Sequence, residues 1–101
     1  MDIREARKLT WKNKVEKGFN TTDVPLEFGL LTAEIGEAFT AWRKGLPDAG
    51  EELADVVLYV AALAKVTGVD LATEVENKLH KNRERTYERN TNGALVRVSG
   101  D

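Results

Sequence analysis

The 101-residue chain has no cysteine, one histidine and two prolines. Without cysteine there is no disulfide framework, no thiolate zinc site and no cysteine nucleophile. A single histidine excludes any multi-histidine metal centre. With so few nucleophile–base combinations available, a protein nucleophile is not expected, and water is the expected attacking group. Basic excess is also missing: 15 Lys and Arg stand against 17 Asp and Glu. A general binder of duplex nucleic acid would need the opposite balance. The longest apolar run, Val56 to Ala64, falls far short of the ~20 residues of a membrane span. The opening MDIREARKLTWKNK lacks the apolar core of a signal peptide. A cytoplasmic protein with no membrane partner is the expectation. What is present is 42% hydrophobic and 32% charged residues, a soluble globular composition of single-domain size.

Punctuation along the chain predicts four helices and a tail. The first runs from Asp2 to about Lys17 and stops near Gly18. Asn20 to Asp23 supply N-cap candidates and Pro25 suits a first turn. The second helix then runs to about Lys44, ended by Gly45 and Pro47. Asp48-Ala49-Gly50-Glu51 resembles a capping box that opens a third helix, which runs to Thr67 and stops at Gly68. Asp70 caps a fourth, expected to reach about Asn90. Asn92-Gly93 breaks it, and Leu95 to Val98 could form a short strand or an ordered arm. Short connections favour antiparallel neighbours. The fold expected is all-α, a four-helix bundle-like protomer over residues 1–90 with a C-terminal tail at 91–101.

Each helical residue advances by about 100°. With Glu34 at zero, Leu31, Ile35, Ala38, Phe39 and Trp42 fill a sector from about 40° to 140°, and Glu37 falls near about 300°. With Glu52 at zero, Leu53, Val56, Val57, Val60, Leu63 and Ala64 fill about 20° to 140°, and Asp55 again falls near about 300°. Both helices carry an acidic pair at i, i+3 along one edge of an apolar stripe. Packing the stripes together can bring the pairs to one rim. Two carboxylates ~5 Å apart at an effective dielectric of ~20 repel by about 3 kcal/mol. Such groups splay into water, take up protons, or hold a cation. Oxygen-only donors select a hard cation, Mg²⁺ before Mn²⁺.

On the fourth helix Leu71, Val75 and Leu79 mark an apolar face at i, i+4, i+8. Lys78, Asn82 and Arg85 continue that face, and inward polar groups need partners. Those partners are either the acids, as salt bridges, or phosphate oxygens, which Arg and Lys reach well. Lys81, Arg83 and Arg89 read as surface charges.

The ordered set Glu34-x-x-Glu37, fourteen residues, Glu52-x-x-Asp55, then Lys78-x-x-x-Asn82-x-x-Arg85 resembles the MazG-like nucleotide pyrophosphohydrolases of the all-α NTP pyrophosphatase superfamily. The likeness covers about residues 30 to 87. It implies Mg²⁺-dependent hydrolysis of a nucleoside triphosphate, deoxynucleosides foremost, to monophosphate and pyrophosphate, as nucleotide-pool house-cleaning. It implies Glu34, Glu37, Glu52 and Asp55 as metal ligands, with Mn²⁺ as a substitute ion. It implies Lys78, Asn82 and Arg85 as phosphate contacts, and assembly as a homodimer or homotetramer.

The residues themselves agree with such chemistry. A carboxylate not saturated by metal can take the proton from attacking water, Glu37 first and Glu34 second, although spacing does not separate them. For base binding, Trp11 and Phe19 lie outside the two central helices and could stack. Trp42 falls inside the apolar sector and is expected in the core. Tyr59, one turn beyond Asp55, could orient it, and His80 points away from the phosphate-facing stripe. Two alternatives stand beside this reading. One is a phosphoribosyl-ATP pyrophosphohydrolase, for which a histidine is expected after the second acidic pair where this chain has Val-Val-Leu-Tyr-Val. The other is a non-catalytic helical dimerisation module with solvated acids.

Overall fold

A computed structural model describes residues 1–99. Its elements run α1 (Ile3–Lys17), α2 (Val24–Arg43), α3 (Ala49–Thr67), α4 (Leu71–Glu84), β1 (Thr86–Arg89) and β2 (Leu95–Ser99). The first three helices start and stop where the sequence punctuates them. Asp2 Oδ1 accepts the Glu5 N–H at 2.8 Å, and Asp23 Oδ1 accepts the Leu26 N–H at 3.1 Å. These caps satisfy backbone donors left open in a first turn. Gly18 and Gly68 end α1 and α3 with φ of 73° and 75°, a left-handed conformation that costs glycine nothing.

The chain divides into two compact units, Met1–Leu71 and the part from Ala72 onward. In the first unit α2 and α3 pack most extensively on each other, and α1 packs on α3. Their core is small and made mainly of alanine: Ala38 and Ala41 from α2, with Ala61, Ala62, Leu63 and Ala64 from α3. Small side chains allow helix axes to approach closely. The apolar stripes are therefore only partly consumed. Ile35, Phe39, Leu53 and Val57 are exposed, and Trp42, expected in the core, is 70% exposed. A helical period identifies which face is apolar, whereas burial depends on what packs against it. The alanine flank of each stripe makes the contact, and the large residues stay outside.

The second unit holds most of α4 and a two-stranded antiparallel sheet. The helix expected to reach Asn90 ends at Glu84 instead, and Thr86–Arg89 is strand β1. β-branched Thr86 and aromatic Tyr87 favour a strand over a helix end. Tyr87 pairs with Arg97, Glu88 with Val96 and Arg89 with Leu95, and the register shifts between Thr86 and Tyr87. The turn is built by Asn90, whose Oδ1 accepts the N–H groups of Asn92 and Ala94, both at 3.0 Å. Gly93 sits at φ 80°. Leu95–Ser99 thus resolves as a strand. Among the described residues, no single helix is long and apolar enough to cross a membrane.

An alanine core leaves no room for larger side chains. Ala61, 2% exposed, should tolerate Leu badly: Ala61→Leu is expected to cost about 1–3 kcal/mol by overpacking, read as a lower urea midpoint at unchanged slope.

Candidate functional site

The expected acids meet. Glu34 and Glu37 come from α2 and Glu52 from α3, and one carboxylate oxygen of each lies within 4.8 Å of the others. Glu34 and Glu52 are half-buried and Glu37 is exposed. Asp55, half-buried one turn along α3, acts electrostatically on both Glu34 and Glu52. The spacing on two packed helices brings Glu34, Glu37 and Glu52 together, while Asp55, the fourth acid expected here, stands outside that close group and is near enough to act on Glu34 and Glu52.

The electrostatics follow from that crowding. Glu34 titrates above the usual carboxylate range, first because it has lost water, then because Glu37 and Asp55 are near. Glu52 is raised by loss of water, then by Glu37, Asp48 and Asp55. All these causes push the same way, against negative charge. Glu34 Oε2, Glu52 Oε2 and Asp48 Oδ1 are also buried without a hydrogen-bond partner among the described residues. Buried acceptors without donors are rare in folded proteins. Oxygen-only donors, close together and short of positive partners, fit a hard divalent cation.

Asp48 was missed as part of this group. It resembles the first residue of a capping box, and it does stand at the N-cap of α3, but its side chain makes no cap hydrogen bond. The carboxylate instead adds a fifth negative charge beside Glu52. Nothing in a short Asp-x-x-Glu stretch distinguishes these two uses.

Two concavities adjoin the acids within the first unit. A cleft of about 450 Å³ is lined by Glu37, Thr40, Leu46, Asp48 and Glu52. A cavity of about 290 Å³ is lined by Asp55, Tyr59, Phe19, Lys14, Asn20 and Glu27 among others. Phe19, a candidate for stacking, lines this cavity. Trp11 is not among its lining residues; its ring lies beneath Lys65 Nζ, 5.9 Å from the centroid. The Tyr59 hydroxyl holds its proton more tightly than usual, through burial first and then through Glu34, Glu27 and Asp55. Lys14 and Glu27 form a buried ion pair at 2.7 Å. Sequence reading missed this pair, because two charges thirteen positions apart on different helices carry no local signal.

The basic set belongs to the second unit. Lys78 and Asn82 are exposed and Arg85 is half-buried. Arg85 lies one residue past the end of α4, and its Nη1 donates to Asn82 Oδ1 at 3.2 Å. The Lys78 ammonium is easier to deprotonate than usual, through loss of water first and then through Arg85, Lys81 and Arg97. Concentrated positive charge of this kind suits an anion.

No family model matches the chain. It is 37% identical over 70 residues to a dATP/dGTP diphosphohydrolase of cyanophage S-2L, a match that takes in 69% of this chain and 64% of the relative. The chain thus spans somewhat under two thirds of that relative's length. Its fold is similar to that of a cyanophage S-2L MazG-like pyrophosphohydrolase solved with dGDP and three catalytic Mn²⁺ ions per active site. That likeness has a TM-score of 0.72 at 25% identity and covers all of this chain and 97% of the other. The fold is therefore the all-α fold of that pyrophosphohydrolase, and it carries a cluster of three glutamates of the kind that can hold a metal ion. Within that fold class the chain is similar in fold and in sequence to MazG-like nucleotide pyrophosphohydrolases.

The raised carboxylates carry a pH signature. Between the ordinary value of 4.5 and the raised folded values, the folded state binds more protons than the unfolded chain. Stability conferred by this cluster must then fall as pH rises through that window. In chelator, the melting temperature is expected to decline across it, and Glu34→Gln should flatten the decline. Parallel curves for the two proteins would contradict the assignment.

Proposed function

We propose that the protein is a divalent-metal-dependent pyrophosphohydrolase of nucleoside triphosphates, with deoxynucleoside triphosphates first among them. It would release pyrophosphate, leave the monophosphate and so clear the nucleotide pool. The observation that carries this reading is the three-carboxylate cluster of Glu34, Glu37 and Glu52, with ligand atoms within 4.8 Å and two of its oxygens buried and unpaired. The dATP/dGTP activity in the name of the cyanophage relative makes purine deoxynucleotides the first substrates to try.

Glu34, Glu37, Glu52 and Asp55 would hold Mg²⁺, with Mn²⁺ able to replace it. When bound, such an ion would lower the pKa of a water and neutralise phosphate oxygens. The chain's own residues do the rest. Glu37, the most exposed of the three clustered acids, takes the proton from water as it attacks the α-phosphorus; Glu34 is the second candidate. The bond to the β-phosphate oxygen breaks, and the pair of electrons leaves with pyrophosphate. Lys78, Asn82 and Arg85 bind phosphate oxygens, and the Arg85–Asn82 hydrogen bond holds the guanidinium in a fixed attitude for that task. Phe19 and Trp11 remain the base-stacking candidates, of which Phe19 has the stronger support because it lines a cavity that Asp55 also lines.

The protein would act as a homodimer or homotetramer in the cytoplasm, where its substrates are held. Exposed Ile35, Phe39, Trp42, Leu53 and Val57, with Leu95 and Val98 of β2, are more apolar surface than a monomer usually leaves bare.

Pyrophosphate release across the common NTPs and dNTPs, with Mg²⁺ and with chelator, tests this reading. Activity that needs the ion is expected. Silence across the panel would favour a non-catalytic helical module. Glu52→Gln should lower kcat on the order of 10²-fold or more with the circular dichroism spectrum unchanged; retained turnover removes Glu52 from the site. Arg85→Ala should weaken triphosphate binding more than monophosphate binding, and equal losses would reject its role at the leaving phosphates.

A further inference from the structure

Glu27 has no part in the chemistry above, yet it is the most enclosed charged group described, 0% exposed. It lies in the first turn of α2 and lines the cavity of about 290 Å³ that Asp55 also lines. Its Oε1 is saturated: Lys14 Nζ donates at 2.7 Å and Asn20 Nδ2 at 3.2 Å. Its Oε2 is buried and has no partner among the described residues.

The surroundings are built to hold that carboxylate still. Lys14 is 7% exposed, and its ammonium sits over the Tyr59 ring, 5.8 Å from the centroid. Asn20 is fully engaged elsewhere. Its Nδ2 also donates to the Asp23 carbonyl at 2.9 Å, while its Oδ1 accepts the N–H groups of Thr22 and Asp23 at 3.3 and 3.0 Å. Lys14 and Asn20 are therefore positioning residues. They fix one oxygen and leave the other a buried acceptor without a donor, on a residue that lines the cavity. A site holding a lone oriented acceptor selects ligands that bring a donor and penalises those that do not. The cavity is at the small end for ligand sites, ~300–1,000 Å³, and aromatic Phe19 and Tyr59 line it as well.

We propose that Glu27 reads the nucleobase: its Oε2 accepts a hydrogen bond from an N–H group of a base seated in this cavity. The inference rests on the nucleotide reading of the neighbouring acids. The ligand class is a base with a donor on its pairing edge, such as the N1–H and 2-amino groups of guanine or the 6-amino group of adenine. Unsubstituted purine has the same ring and no such donor.

The test is calorimetric binding of dGDP, dADP and the deoxyribonucleoside diphosphate of unsubstituted purine, in Mg²⁺, to the wild type and to Glu27→Gln. The wild type should prefer dGDP, dADP or both over the unsubstituted base by about 10–100-fold, the range for a hydrogen bond to a charged group. In Glu27→Gln an amide donor replaces the free acceptor, so the preference should collapse or reverse. If Glu27 only holds the fold, the variant weakens all three ligands alike and keeps their order, which overturns the proposal. If the variant does not fold, the wild-type series decides: equal affinity for the three ligands overturns it. No binding of any ligand overturns it together with the nucleotide reading. Selective binding without pyrophosphate release from any triphosphate would support Glu27 as the reader and overturn the hydrolase reading alone.

Discussion

Like charges placed close together on a protein rim are an expense that must be met from outside the chain. Glu34, Glu37 and Glu52 meet within 4.8 Å, with Asp55 and Asp48 adding to the field. Loss of water and mutual repulsion act in the same direction on Glu34 and Glu52. Local violations of this kind are characteristic of functional sites, where the rest of the fold compensates for them. A divalent cation would resolve the conflict and make the cluster useful, because the same crowding that raises the carboxylates favours positive charge. The proposed phosphate contacts of Lys78, Asn82 and Arg85 and the proposed reading of a base by Glu27 both depend on that resolution.

The scaffold suits this task. Alanine at Ala38, Ala41, Ala61, Ala62 and Ala64 lets α2 and α3 approach closely, and two helices must be close for short carboxylate side chains to share one ion. The same choice leaves Trp42, Phe39, Leu53 and Val57 outside. A small core and a bare apolar face are two consequences of one packing decision, and a second copy of the chain is the natural cover for that face.

Much of this was legible in the sequence. The boundaries of α1 to α3 follow from Asp2, Gly18, Asp23, Gly45, Asp48 and Gly68, because caps and left-handed glycines act locally. The convergence of the acids follows from helical period and matched spacing on neighbouring helices. What escaped depends on tertiary partners. Trp42 lies on an apolar face, but no periodicity says that the face stays uncovered. The helix at Leu71 ends at Glu84 because Thr86 to Arg89 pairs with Leu95 to Ser99, a competition that local pattern does not register. Glu27 looks like an ordinary first-turn acid, favourable at a helix N-terminus. Only contact with Lys14 and Asn20 reveals it as a buried, half-satisfied group. Asp48 looks like a cap and behaves as part of the cluster.

Metal-dependent melting bears most directly on the acidic rim. The wild type should gain melting temperature in millimolar Mg²⁺ over chelator, because ions bound by the folded state alone stabilise it. The triple substitution of Glu34, Glu37 and Glu52 to Gln should melt higher than the wild type in chelator and ignore Mg²⁺. A wild type indifferent to Mg²⁺ and Mn²⁺, melting below the triple variant under every condition, would contradict the account.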